Sequence, residues 1–532
     1  MSGMPTQKIA ELVAAGNALR HRGDAVGAAQ QYLAALAEDP AHYEANNNLG
    51  VIYLLSGRVM EAVRLLERAV SQQPGRALAW LNLGNALIQS GQVHAAVDAC
   101  RRALSADPNL EAAARNLAFF MTFDPIATPQ AILEQHRLWA STFADPIAAG
   151  RTHPNDRSPS RRIRVGYVSP DFREHAVAHF MEPLLRNHDP RQVEIFCYSD
   201  VNHPDPVTQR LRGLAGHWQA TARDSDDELA AIIRAHQIDL LIDLAGFTYG
   251  GRPLLFARKP APVQIAYLGY PATTGLHAMD YRLVDVHTDP PGATDQFWTE
   301  KLLRLPRTFA CYQPPADAPQ VAPLPASANG FVTFSSFAML SKLNDPLIAI
   351  WSQILRDVPG SKLLMATGGL QEPALAEQIQ GRFASHAIDP SRLQLSGAMK
   401  FEDYLAAHGK IDILLDSFPV SGHTVSCHAL WMGVPIVSLA GTCYQQRLGA
   451  SLLNNLGLPE LLADSEQAYA RIAIELARDI PALTKLRASL RSRMAGSALC
   501  DAKQVTHELE GAYRKAWQAW CAFMARPYPS AP

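Results

Sequence analysis

Small and apolar residues in the first 121 positions recur with a 34-residue step. Gly16, Gly50 and Gly84 keep it, as do Gly23, Gly57 and Gly91. Ala28, Ala62 and Ala96 follow, then Ala35, Ala69 and Ala103, and Pro40, Pro74 and Pro108. Small residues at helix crossings and proline at the turn, in one phase, predict stacked helix pairs. Each pair is too thin to bury its apolar face alone, so neighbouring pairs share a core. The proline stops the second helix of each pair. Glu111–Phe120 starts a truncated fourth unit, and 128–147 reads as one more helix. Beyond residue 163 short apolar runs alternate with helical stretches. They are 164–168, 193–198, 238–243, 262–266 and 281–284, then 331–334, 361–365, 393–395, 411–416 and 435–439. Such alternation predicts parallel sheets covered on both faces.

The organisation expected is therefore a tetratricopeptide α-solenoid at 8–121, then a helical spacer and polar linker at 122–162, including Arg151 to Arg162. A first Rossmann-like lobe at 163–313 and a Pro-rich crossing at 314–330 come next. A second α/β lobe at 331–500 and an amphipathic terminal helix at 501–526 complete the chain. Two doubly wound lobes place their ligand at the carboxyl ends of the strands. The solenoid is expected to hold a protein or peptide, and a homo-oligomer is left open.

Bulk composition narrows the function classes. At 532 residues the chain is too long for one core. With 48% hydrophobic and 18% charged residues it reads as folded and soluble. A formal net charge of −2 gives no nucleic-acid or anionic-membrane footprint. The N-terminal segment lacks the charged head and apolar run of a signal peptide. No stretch is apolar for the roughly 18 residues that a membrane span needs. The 7 cysteines are scattered with no Cys-x-x-Cys pair, which fits a reducing, cytoplasmic setting and neither a disulfide framework nor a zinc site.

Four segments carry candidate chemistry. Ser421-Gly-His-Thr-Val-Ser426 lies between an apolar run and a helix. A helix start there offers free N–H groups and a positive dipole end to phosphate, with Ser421, Thr424 and Ser426 adding hydroxyl donors. An ordinary capped helix reads the same way. Lys342 follows the first strand of the second lobe, where an ammonium can neutralise a pyrophosphate. A surface lysine would look alike. His175 and His179, four apart, are expected on one helix face. A metal would need a third ligand that the neighbouring sequence lacks; His179 is read as packing and His175 as poised to orient or deprotonate a hydroxyl. Finally, Leu268–Gly275, with Tyr270, Pro271, Thr273 and Thr274, reads as a tight cleft-side loop offering two hydroxyls.

These segments, in this order behind the repeats, resemble glycosyltransferase family 41, the protein O-GlcNAc transferases and plant SPINDLY proteins. The likeness rests on Val165–Phe172, Arg258–Gln264, Leu268–Gly275, Met279–Tyr281, Lys342, Ser421–Thr424 and Leu430–Pro435. Leu303–Pro306, Asn329–Phe334 and Met494–Ser497 are worded more like SPINDLY. The resemblance implies a GT-B fold, a nucleotide-sugar donor as substrate, no cofactor, and transfer to Ser or Thr of a protein. It implies that Lys342 holds the diphosphate and stabilises the leaving nucleotide. Gly422, His423, Thr424 and Val425 would line the phosphate end, and Tyr404 would stack on the base. His175 matches the cleft histidine. His428 stands where the O-GlcNAc transferases carry a carboxylate near the ribose, and a neutral imidazole accepts only one hydrogen bond. Met339 replaces a polar amide and Val425 a threonine; the animal enzymes' long insert between the lobes is absent.

The chemistry expected is inverting and metal-independent. The acceptor hydroxyl attacks the anomeric carbon opposite the diphosphate, whose growing charge Lys342 and the helix dipole offset. His175, Asp243 and the donor's own phosphate are open as the base. Three readings follow: GlcNAc transfer from UDP-GlcNAc, fucose transfer from GDP-fucose, and a repeat scaffold with degenerate lobes.

Overall fold

The computed structural model describes residues 4–147 and 152–525. Residues 148–151 of the expected spacer and linker, and residue 526 of the expected terminal helix, lie outside them. The chain divides into two compact bodies: Met1–Ile126 with Thr333–Tyr404, and Ala127–Val332 with Leu405–Pro532.

The first body contains the repeats. Their helices are α1 (Met4–His21), α2 (Ala25–Glu38), α3 (Tyr43–Leu55), α4 (Val59–Gln72), α5 (Ala77–Gln89), α6 (Val93–Ala106) and the unpaired α7 (Glu111–Met121). The periodic residues account for the packing. A Cβ at Gly16 would sit 2.6 Å from the Tyr32 ring, and one at Gly50 2.7 Å from Leu66. At Gly84 it would meet Cys100 Sγ at 3.2 Å. Tyr32, Leu66 and Cys100 are themselves in register, so each pair crosses at the same point. The six periodic alanines are wholly buried. Gly23, Gly57 and Gly91 turn the chain between paired helices at φ +83°, +78° and +80°, where a side chain costs backbone energy.

This body also holds β8 (Thr333–Ser336), β9 (Lys362–Ala366) and β10 (Leu393–Ser396), given the numbers they take in chain order, paired parallel as β10-β9-β8. The second body contains β1 (Ile163–Ser169), β2 (Val193–Ser199), β3 (His217–Ala220), β4 (Leu240–Asp243), β5 (Val263–Ala266), β6 (Tyr281–Asp285) and β7 (Lys301–Leu305). They form one parallel seven-stranded sheet of order β3-β2-β1-β4-β5-β6-β7. The strands β11 (Ile413–Leu415), β12 (Ile436–Leu439) and β13 (Leu462–Ala463) also belong there, paired parallel as β11-β12-β13. The edge strands β3 and β7 are not among the expected runs: β3 is largely solvent-facing, β7 is partly exposed along most of its length, and both lack a long apolar stretch.

Three further expectations change. The single helix at 128–147 is an α-helix only over Pro129–Trp139, continuing as a π-turn and a 3-10 turn to Ile147. His175 and His179 do not share a helix face. The helix starts at Ala178, and His175 lies in the preceding loop, where its Nδ1 accepts the Val177 N–H. The described part of the linker is pinned: Asn155 and Arg161 both hydrogen-bond Asp239, and Trp517 donates to Ser158 O. Trp517 lies on the terminal helix Ala502–Met524, which also packs on the first lobe through Tyr513–Tyr167 and Glu510–His188. No helix among the described residues is long and apolar enough to cross a membrane.

Candidate active site

In the second body, β11 runs into a loop at 416–423 and then the helix Thr424–Trp431. Asp416 organises that loop. Its Oδ1 accepts the N–H groups of Gly422 (2.6 Å) and Ser417 (2.9 Å), and its Oδ2 accepts Ser438 Oγ (2.6 Å). Gly422 has to lack a side chain, since a Cβ would lie 2.8 Å from Ser426 Oγ and 3.0 Å from Asp416 Oδ1. The helix start carries no side-chain cap from His423. Gly422, His423, Thr424 and Val425 are partly exposed, while Ser421, Ser426 and His428 are buried. The expected hydroxyl donors therefore reduce to Thr424. Ser421 Oγ donates to Gln445 O and accepts the Leu448 N–H, and Ser426 is fully buried.

Aromatic rings fix the histidines here. The His423 imidazole is stacked between Phe180 (4.6 Å, 26°) and Phe309 (5.0 Å, 28°). His428 meets His179 edge-on at 5.0 Å and Tyr312 at 5.8 Å. Burial, reinforced by His179 and His408, holds its pKa well below the ordinary value, so it is a neutral ring. Sequence reasoning missed Phe180, Phe309 and Asp416, since nothing local marks an aromatic as the wall of a ring 114–243 residues away.

At the carboxyl end of β1, His175 Nδ1 is 3.6 Å from Asp171 Oδ1. Burial lowers the His175 pKa, with Asp171 pulling the other way, and burial raises that of Asp171. Asp243 ends β4 and is buried; its Oδ1 accepts the N–H groups of Ala245 and Gly246, and burial raises its pKa. The loop after β5 departs from expectation. Thr273 and Thr274 are buried and donate their hydroxyls to Glu300 at 2.6 and 2.5 Å. Tyr270 is buried with its hydroxyl 2.5 Å from His136 Nε2. Those three groups hold the loop together, and Leu268, Gly269 and Pro271 are its partly exposed residues.

In the first body, Lys342 ends a 3-10 turn, Leu340–Lys342, that follows β8; it is partly buried, beside the exposed Met339. Tyr404 stands against Phe337, which follows the same strand, at 5.0 Å and 73°. Thus Lys342 and Tyr404 share one body, while His175, Asp243 and 422–428 share the other. The repeats add amide pairs that sequence reasoning did not single out: Asn48 to Asn17, Asn82 to Asn47, and Asn116 to Asn85. The 34-residue step of Asn48, Asn82 and Asn116 was the available signal. Among the described residues no cluster of three or more His, Cys, Asp or Glu is arranged to hold a metal ion.

The model of glycosyl transferase family 41 matches residues 148–313 and 320–509. The chain belongs to that family. Tetratricopeptide repeat models match 31–64 and 56–111. Among curated family 41 relatives, a SPINDLY protein of Petunia hybrida named as a probable UDP-N-acetylglucosamine–peptide N-acetylglucosaminyltransferase is 37% identical over 418 residues. That match covers 77% of this chain and 44% of the relative. The SEC protein of Arabidopsis thaliana, named for the same activity, is 30% identical over 374 residues, covering 68% and 38%. The chain thus spans less than half the length of these curated relatives. A solved structure of Thermobaculum terrenum O-GlcNAc transferase, in a lysine-to-methionine mutant, is 35% identical. It superposes with a TM-score of 0.90 over 99% of this chain and 100% of that one. Helical repeats followed by two parallel sheets give this family 41 chain the GT-B architecture.

Proposed function

We propose that the chain transfers GlcNAc from UDP-GlcNAc to Ser or Thr hydroxyls of proteins, with inversion and without a metal. The observation that carries this reading is the likeness along the whole chain, repeats included, to a protein named O-GlcNAc transferase. The site chemistry agrees with it. The partly exposed helix start at Gly422–Val425, with no side-chain cap from His423, suits a diphosphate, because its N–H groups and dipole favour negative charge. Lys342 supplies the cation that offsets charge on the departing nucleotide, and Tyr404 offers a ring to the base. His423, held between two phenyl rings, lines the phosphate end without rotating.

Of the candidate bases, His175 fits best. It is partly exposed, and its lowered pKa leaves a neutral ring at pH 7 that can accept a proton from a hydroxyl. Asp243 has one oxygen committed to two backbone N–H groups and faces little solvent. The acceptor chain lies along the repeats, where the asparagine amides offer both donors and acceptors to an extended backbone.

A second reading keeps the fold and takes GDP-fucose. It is favoured by the buried, neutral His428, which stands where the O-GlcNAc transferases carry a carboxylate. Thermal-shift titration with UDP, UDP-GlcNAc, GDP and GDP-fucose separates the two, because a ligand that binds the native state raises its stability. Stabilisation by the uridine ligands alone supports the first reading, and by the guanosine ligands alone the second. Stabilisation by neither leaves a scaffold with degenerate lobes.

A further inference from the structure

The three inter-helix turns of the repeats share one backbone conformation but not one environment. A Cβ on Gly23 would meet nothing within 4 Å, and one on Gly57 only the tip of Gln371 at 3.5 Å. A Cβ on Gly91 would lie 2.8 Å from Leu340 O and 3.4 Å from Leu340 C. That carbonyl accepts the Leu343 N–H at 2.9 Å, closing the turn that contains Lys342. The turn of the third repeat is therefore seated on the backbone bracket of the lysine.

A second contact fastens the same surfaces. The Glu372 carboxylate accepts the Met60 N–H through both oxygens, at 3.1 and 3.0 Å. It thereby caps α4, whose own N-cap residue Arg58 makes no side-chain cap. A carboxylate at a helix N-terminus is favoured by the dipole as well as by the hydrogen bonds.

We propose that Gly91 is a positioning residue for Lys342, and that the solenoid, seated through Gly91 and Glu372, sets where the lysine ammonium stands. The inference rests on the reading of Lys342 as the diphosphate-binding cation. An added methyl at Gly91 falls about half an ångström short of ordinary contact with Leu340, so the bracket has to move. Misplacing a reacting group by about 1 Å costs roughly 100-fold, so about half that shift costs about tenfold.

The test uses the full chain and nucleotide release from UDP-GlcNAc, with GDP-fucose in parallel. Gly91→Ala and Gly23→Ala carry the same positive-φ strain, so both lower the thermal midpoint, Gly91→Ala further through its clash with Leu340. Gly91→Ala lowers kcat about tenfold with donor KM within about threefold, while Gly23→Ala stays within about twofold of wild type. In a Lys342→Ala background the Gly91→Ala effect on kcat disappears, because the group it positions is gone. Equal kcat for the two glycine variants, or an undiminished Gly91→Ala effect without the lysine, overturns the proposal while leaving the reading of Lys342 intact. Normal turnover by Lys342→Ala overturns that reading and this proposal with it, as does a wild-type chain that acts on neither donor. If Gly91→Ala does not fold, Glu372→Ala decides. A drop in kcat that vanishes in the Lys342→Ala background supports the coupling, and an unchanged kcat overturns it.

Discussion

Replacing Asp416 tests whether the phosphate end of the site is built by the loop that this carboxylate organises. Asp416 is buried, and its carboxylate accepts from Gly422 N, Ser417 N and Ser438 Oγ. In Asp416→Ala all three donors lose their partner. Gly422 is partly exposed and recruits water, whereas Ser417 and Ser438 are buried. Two buried donors left unmade cost about 2–6 kcal/mol together. Asp416→Asn keeps an amide oxygen for the two N–H groups, and the Ser438 hydroxyl turns to accept from the new NH₂. It loses only the charge assistance, about 1 kcal/mol. Since a diphosphate needs the Gly422–Val425 start preformed, most of that cost is repaid out of ligand binding. UDP and GDP titrated calorimetrically into both variants should show Asp416→Ala weakened about 30-fold or more and Asp416→Asn by no more than about tenfold. Affinity in Asp416→Ala equal to wild type, for the nucleotide that wild type binds, would refute the idea that this loop forms the anion site.

Three other outcomes follow from the same structure. Lys342→Ala should lose roughly 10²–10³-fold in nucleotide release, in a steady-state assay at saturating donor, while nucleotide binding in calorimetry weakens by less than that and remains measurable. Phe309→Ala removes one wall of the His423 stack and should cost about 3 kcal/mol in denaturant unfolding; Phe309→Leu, which keeps most of the buried volume, should cost about 1 kcal/mol. His136 is buried with its pKa brought down from 6.5 to about 4, so the folded chain holds it neutral while the unfolded chain protonates it first. Stability therefore falls as pH drops from about 6.5 to about 4 and then levels, by about 3 kcal/mol in all for this group. A thermal-melt pH series on wild type and His136→Gln should show that slope reduced in the variant, and identical slopes would count against it.

The candidate site was partly legible because its backbone is local. A strand, a glycine-bearing loop and a helix start are contiguous in Ser421–Ser426, so the chain alone marks Gly422–Val425 as a helix start, a feature that an anion site and an ordinary cap share. What each side chain does there was not legible. Ser421, Thr273 and Thr274 read as available hydroxyls, yet they are committed to Gln445 and Glu300, partners 24–27 residues away. His175 and His179 read as one helix face until the loop takes His175 out of the helix through a hydrogen bond to Val177 N.

The order of chain elements and the repeat architecture were set by the sequence itself. A 34-residue phase of glycine, alanine and proline acts within one helix pair, and doubly covered strands announce themselves as apolar runs. The half-exposed edge strands β3 and β7, the return of the terminal helix to Tyr167 and His188, and the seating of Gly91 on Leu340 were decided only in three dimensions. Each joins residues far apart in the chain or leaves one face in water. Local hydrophobic periodicity reports which face a segment buries and carries no record of the partner it is buried against.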